Sequence, residues 1–385
     1  MQSIIDLLSE ELQAPRQYIE NVINLLDEGN TIPFIARYRK ELHGAMDDEK
    51  LRTLETRLGY LRSLNERRDT ILSAIEGQGK LSDALRKAIE NAKTLAELED
   101  LYRPYKQKRR TRATMAKEKG LEPLAQTLFA QKRDCPDPAT EATKYLDPEK
   151  GVNTPEDALL GASDIIAEQL SDDAALRKTL REQLNRLGVM RVTAASEEDS
   201  VYSTYYDFTR ELRRLQGHQI LAINRGEKEK KLKVEIVPDN DKALQTIRKS
   251  AVVPGSRSME FIKGACEDAW IRLISPSLAR EARSSLTDTA CEGAIRQFAA
   301  NLRPLLMQSP VKGHVTMALD PGYQHGCKVA VVDPTGKVLD TAVIYPTFGE
   351  KSVRKQFPSS PGSFRSTASP GLRSATAPPD GRRSR

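Results

Sequence analysis

From Ile4 to Met307 apolar residues recur at three- and four-residue intervals, the spacing that gathers them on one face of an α-helix. Ile4, Leu8 and Leu12 predict a first short helix. Pro15 opens a second, carrying Tyr18, Ile19, Val22, Ile23 and Leu26, and Gly29 stops it. Pro33 starts a third, in which Phe34 and Ile35 stand beside Arg37, Arg39 and Lys40. Asp47, Asp48 and Glu49 place negative charge where a much longer helix begins. There Leu51, Leu54, Leu58, Leu61, Leu64, Ile71, Leu72 and Ile75 keep one stripe until Gly77. Such a helix is roughly thirty residues and about 45 Å long, and its other face, full of Arg and Glu, fits a scaffold packed on its neighbours. Further helices follow through Leu81, Leu85 and Ile89, and then through Leu95, Leu98 and Leu101, where Thr94 and Glu97 have capping-box spacing. Over residues 120–187 the pattern stays helical, with starts at Thr154-Pro155-Glu156-Asp157 and Ser171-Asp172-Asp173.

Strand patterns are few. Gly188 to Ala195 forms one candidate, and Val234 to Val237 alternates as another. Tyr202, Tyr205, Tyr206 and Phe208 cluster beside Leu212 and Leu215, and read as core rather than as a base-stacking surface. Met259 to Ile274 resumes as a helix with the single Trp270. Pro276 opens a last one to about Met307, with Leu278, Ala282, Leu286, Ala290, Ile295, Phe298, Leu302 and Leu305 on its inner side. Between Val315 and Pro346 the period changes to three short runs rich in Val, Ile and Thr, separated by Pro and Gly turns. Asp320 ends the first of them beside Pro321-Gly322, where a metal-dependent nuclease would hold its first carboxylate. An ordinary hairpin needs the same residues, and one Asp does not hold two metal ions. His314, His325 and Asp320 have no third acid nearby, so neither catalysis nor a metal site is expected.

Composition changes this picture in two ways. At 385 residues, 38% apolar and 30% charged, the chain has room for two or three helix-rich domains. No apolar run approaches a membrane span, and the acidic, amphipathic N-terminus does not resemble a signal peptide, which points to the cytoplasm. Cys135, Cys266, Cys291 and Cys327 lack disulfide or zinc spacing, so reduced and mostly buried thiols are expected. The net charge of +6 is misleading: eight cations against one acid give residues 351–385 a charge of +7, leaving 1–350 at −1. Any nucleic-acid argument therefore rests on local patches. The strongest is Arg103, Lys106, Lys108, Arg109, Arg110 and Arg112, with Tyr102 and Tyr105 interleaved and no acid among them. Pro104 holds this segment out of a helix interior, so its cations are expected along a loop where phosphates meet them and tyrosines stack on bases. Alternatively this is a solvated loop whose arginines pair with Glu97, Glu99 and Asp100 or with the neighbouring domain. Arg37, Arg39 and Lys40 form a second patch, either the third helix of a helix-turn-helix or a solvated face.

The strings LDPGY, GCKVAVVD and TGKVLDTAVIYP resemble the start of the YqgF-like, RNase H-like domain of the Tex family, the bacterial transcription accessory proteins. GNTIPFIARYRKE, LEDLYRPYKQKRRTRATMA, LAINRGEKEK and FAANLRPLL extend the resemblance over residues 1 to 347. Gln324 and His325 stand where family members carry Arg and Thr, and Gly217-His218-Gln219 replaces Ser-His-Arg. The resemblance implies a mainly α protein. Its expected parts are a helix-turn-helix-like start and long helix at 1–75, a multi-helical central region with short strands at 76–312, and a truncated YqgF-like α/β domain at 313–347. A disordered basic tail follows at 348–385. There Ser, Pro, Gly, Ala and Arg dominate, the residues that GC-rich codons yield after a frame change. The three strands are fewer than an RNase H-like sheet needs, so an open strand edge and an uncovered apolar face are expected. The resemblance also implies helix-hairpin-helix modules and an RNA-binding OB-fold domain in the family, and neither is expected in this chain. The role implied is RNA or DNA binding in transcription, non-catalytic, with RNA polymerase or other transcription factors as protein partners. No cofactor, membrane or small-molecule substrate is implied. A helical protein-binding scaffold, or a nuclease using Asp320, are the alternative readings.

Overall fold

The computed structural model describes residues 3–107, 109–132, 135–196, 200–309, 313–320, 322 and 326–344. Tail residues 348–385, with Lys108, Gln324 and His325, lie outside them. The chain divides into two compact units, 1–296 and 297–385.

In the first unit a capping box of Ser3 and Asp6 starts α1 (Ile4–Leu12), followed by α2 (Arg16–Asp27) and α3 (Ile32–Tyr38). Asp47 accepts the Lys50 backbone N–H at 2.7 Å and so starts α4 (Asp48–Glu76), where the sequence places it. Leu51, Leu54, Leu58, Leu61, Leu64, Ile71 and Ile75 of that helix are all buried. Against this stripe pack α1, α3, α5 (Asp83–Asn91) and α6 (Leu95–Tyr102), which together enclose an N-terminal core.

A second core is built around α10 (Pro155–Ser171), which starts at Thr154 as its sequence predicts, Thr154 and Asp157 forming a capping box there. Around it lie α7 (Arg112–Glu118), α8 (Glu122–Ala130), α9 (Pro138–Ala142) and α14 (Met259–Asp268). The same core takes in α11 (Ala174–Leu187), α12 (Gly217–Lys228) and α13 (Asn240–Ala251). It also takes in an antiparallel sheet of β1 (Val189–Ala194), β2 (Asp207–Glu211) and β3 (Leu232–Val237), in the order β2-β1-β3. A π-helical turn, Ala269–Ile274, carries α14 into α15 (Ser275–Leu306). Burial pushes the Cys266 thiol up to about 11, so this cysteine is a packing residue. Cys135 and Cys327 are buried and Cys291 is exposed, all four free.

One correction concerns α15. Leu278, Ala282 and Ala290 are buried, but Ile295, Phe298, Leu302 and Leu305, expected on the same inner side, are exposed. Helical periodicity continues past the end of the core that α15 packs on, so the stripe outlasts its partner.

The second unit contains an antiparallel meander, β4 (Thr316–Asp320), β5 (Cys327–Val332) and β6 (Val338–Ile344). Asp333 Oδ1 shapes its second turn, accepting the N–H groups of Thr335 at 2.8 Å and Lys337 at 2.9 Å. Cys327 and Val329 are buried, whereas Met317, Leu319, Val338, Leu339 and Val343 are exposed.

Trp270, 2% exposed, anchors the second core and donates from Nε1 to Asn240 Oδ1 at 2.9 Å. Trp270→Ala is expected to destabilise the protein by about 3–5 kcal/mol, seen as a lower urea midpoint by far-UV circular dichroism.

Candidate nucleic-acid interface

The richest cationic stretch begins at a buried carboxylate. Asp100, near the end of α6, accepts Arg177 Nε at 2.6 Å and a second bond from Arg181, both on α11. Arg181 also bonds Glu281 on α15, and Arg177 Nη2 donates to Ser277 Oγ at 3.2 Å. The chain leaves this cluster through a 3-10 turn, Arg103–Tyr105, that Pro104 favours. Arg103 Nε faces Asp172 at 3.3 Å. Burial, and then the neighbouring Arg177, lower the Arg103 pKa from its ordinary value, against the pull of Asp172 and Asp100. Arg103, Lys106, Arg177 and Arg181 line a cleft of about 330 Å³ together with Asp100 and Glu281.

The expectation of cations and tyrosines ranged together along one loop is corrected here. Tyr102 and Tyr105 pack half-buried against the N-terminal core, Arg67 lies 5.5 Å from the Tyr102 ring, and Gln78 donates to the Tyr105 carbonyl at 2.9 Å. Both rings are committed inward because the turn follows α6 directly. Arg112 sits in the first turn of α7, not in the loop, and its charge acts on the half-buried Asp164. Arg110 bonds Glu118 at 3.0 Å on the exposed surface. Lys106 and Arg109 are exposed, and Lys108 lies outside the described residues. The three alternative partners weighed in the sequence are all taken by other cations: Asp100 by Arg177 and Arg181, Glu99 by Arg67, and Glu97 by Lys178.

The second patch looks different. Helix α3 ends at Tyr38, so Arg37 lies within it while Arg39 and Lys40 follow it. Ile32 and Ile35 bury its inner face. Phe34 and Tyr38, one turn apart, meet with ring centroids 5.2 Å apart and planes tilted by 47°. The Arg37 guanidinium lies 6.0 Å from the Tyr38 ring, and that of Arg39 lies 5.4 Å from Phe34. Arg39 Nη1 also donates to the Tyr38 carbonyl at 3.3 Å. Tyr38 is 56% exposed. Among the described residues no carboxylate stands at ion-pair distance from Arg37, Arg39 or Lys40. The sequence carried the signal for these rings, Phe34 and Tyr38 at i and i+4 between arginines, but as a site they went unread.

Asp320 ends β4 opposite Lys328 of β5. Among the described residues no group of three His, Cys, Asp or Glu side chains is placed to hold a metal ion, and no helix is long and apolar enough to cross a membrane.

Residues 2–76 match the family model of the Tex-like protein N-terminal domain, 134–298 that of the Tex central region, and 314–359 that of the Tex protein YqgF-like domain. The chain belongs to the Tex family. The YqgF-like match continues beyond Thr347, where the composition changes. The protein tex of Bordetella pertussis is 41% identical over 360 residues, which cover 89% of this chain and 45% of that protein. The transcriptional accessory protein Tex of Neisseria gonorrhoeae is 41% identical over 352 residues, 89% of this chain and 46% of the relative. The human S1 RNA-binding domain-containing protein 1 is 33% identical over 365 residues, 90% and 36% respectively. The chain thus spans less than half the length of each of these relatives. Within this Tex-family chain, the cationic stretch is built on a charge cluster between the N-terminal core and the second core.

Removing the Asp100 carboxylate leaves Arg177 and Arg181 only Glu281, 3.9 Å from Arg177, as a carboxylate partner among the described residues. Asp100→Ala is expected to destabilise by about 3–5 kcal/mol, while Arg52→Ala, at an exposed pair with Asp48, leaves the urea midpoint almost unchanged.

Proposed function

We propose that this chain binds nucleic acid in support of transcription, in the cytoplasm and without catalysing a reaction on it. The observation that carries this reading is a set of exposed cations, Arg37, Lys40, Lys106, Arg109 and Arg110, on a body whose residues 1–350 total −1. Phosphates are the ligand that suits exposed arginine forks. Two relatives support the reading by name: one is called a transcriptional accessory protein, the other an S1 RNA-binding domain-containing protein. The expected parts, 1–75, 76–312, 313–347 and 348–385, would then put both patches in the helical portion. A second reading has a specific observation behind it. Exposed Ile295, Phe298, Leu305 and Leu306 favour a surface that holds RNA polymerase or another transcription factor.

Fluorescence anisotropy of the full chain with single-stranded RNA and duplex DNA across a salt series tests the first reading. Affinity is expected to fall steeply with salt. The double variant Arg109→Gln/Arg110→Gln should weaken binding and reduce the salt slope on single strands by about 0.7 for each phosphate that is no longer neutralised. Glu118→Gln frees Arg110 and should tighten binding by a few-fold. The basic tail contributes equally to all variants, so the differences report the helical portion. Binding unchanged by all three substitutions would overturn the assignment of these cations.

A further inference from the structure

We infer that Tyr38 and Phe34, flanked by Arg37 and Arg39, form a stacking platform for unpaired bases of a single-stranded nucleic acid. This inference rests on the nucleic-acid reading and names its ligand class. Four aromatic or guanidinium planes follow one another in space here: Arg37, Tyr38, Phe34 and Arg39, with separations of 6.0, 5.2 and 5.4 Å. The Tyr38 ring is held by Phe34 and its backbone carbonyl is bonded by Arg39, yet more than half of the residue faces solvent. An aromatic ring that is both ordered and exposed has already lost the side-chain freedom that base stacking would remove. The arginines are also available. Arg57 over Tyr60 and Arg67 over Tyr102 repeat the cation–aromatic contact, but Glu11 and Glu99 neutralise them. Arg37 and Arg39 have no such carboxylate among the described residues, so their forks can meet phosphates on either side of a stacked base. Lys40 follows as a third cation.

The length of α3 argues against a duplex ligand at this place. Seven residues make about two turns, and Ile32 and Ile35 commit its inner face to the core. A major-groove reader presents a helix face of several base-contacting side chains; here the exposed side offers an aromatic surface and cations. Stacking on such a surface is tolerant of sequence because every base has a π-face.

The test compares two strands of equal length and charge, oligo(dT) and an abasic strand, with the full chain at one salt concentration. Oligo(dT) is expected to bind more tightly. Tyr38→Ala should weaken oligo(dT) binding about tenfold and leave the abasic strand unaffected, while Tyr38→Phe retains wild-type affinity. The basic tail, which carries Phe357 and Phe364, is common to wild type and variant, so the change on Tyr38→Ala reports α3. Equal affinity for both strands, with Tyr38→Ala silent, would overturn the platform while sparing phosphate binding. Failure of both strands to bind would overturn the platform and the nucleic-acid reading together. Unchanged far-UV circular dichroism and thermal midpoint in Tyr38→Ala separate lost stacking from lost fold.

Discussion

A single buried carboxylate, Asp100, determines how the helical body is joined. Its helix, α6, contributes Leu98 to the N-terminal core, while Leu176 and Leu180 of α11 and Leu278 of α15 belong to the second core. Asp100 meets Arg177 and Arg181 between them, and Glu281 supplies a second negative charge to two guanidinium groups. Burying such groups is unfavourable unless each is paired and hydrogen-bonded. Asp100 meets that requirement for Arg177 Nε and for Arg181, while Arg177 Nη1 is buried without a hydrogen-bond partner, and the bidentate contact ties α6 to α11. The chain continues from that tie: Arg103 arrives at Asp172 three residues later, and Tyr102 and Tyr105 turn inward against the N-terminal core.

Availability, more than the number of cations, separates the two basic patches. Arg103 is half-buried beside a carboxylate and another arginine, and releasing it to a phosphate would break its 3.3 Å contact with Asp172. Arg110 is different: its pair with Glu118 is exposed on both sides, and such pairs contribute about 0–1 kcal/mol. A phosphate can exchange into that contact at little loss. Arg37 and Lys40 need no exchange. A stretch of six cations thus yields fewer accessible ones than its composition suggests, while a sparser patch with two rings keeps its charges and its aromatic surface.

Much of the fold was legible in local sequence. The stripe from Leu51 to Ile75, the stop at Gly77 and the Thr154 cap follow from spacing and from backbone donors that need partners, and each formed where expected. The three runs after Val315 are the three strands of the second sheet. Helix α13 and strand β2 were not read, because Ala243, Ile247 and Ala251 are spaced among charged residues, and Asp207 to Glu211 has little apolar alternation. The site was less legible for a different reason. What consumes Arg103 lies at Asp172, and what positions Asp100 lies at Arg177, Arg181 and Glu281, so no local window contains both partners. Periodicity likewise told which side of α15 is apolar, but not where its partner surface ends.

The near-neutral body has a consequence for how binding would respond to salt. With −1 spread over residues 1–350, no long-range field from the folded portion draws a polyanion in, and at physiological ionic strength charges beyond about 8 Å are screened. Contacts must therefore be made at short range, where a phosphate sits directly on a guanidinium. Phosphate contacts weaken as salt rises because released counterions return to a more concentrated solution, whereas stacking of a base on an aromatic ring carries no such penalty. A patch that combines free arginines with an exposed ordered ring thus retains part of its affinity where a purely cationic loop loses nearly all. If the helical portion binds a single strand as proposed, the Phe34–Tyr38 pair would keep part of that affinity at cellular ionic strength where contacts of residues 103–112 weaken.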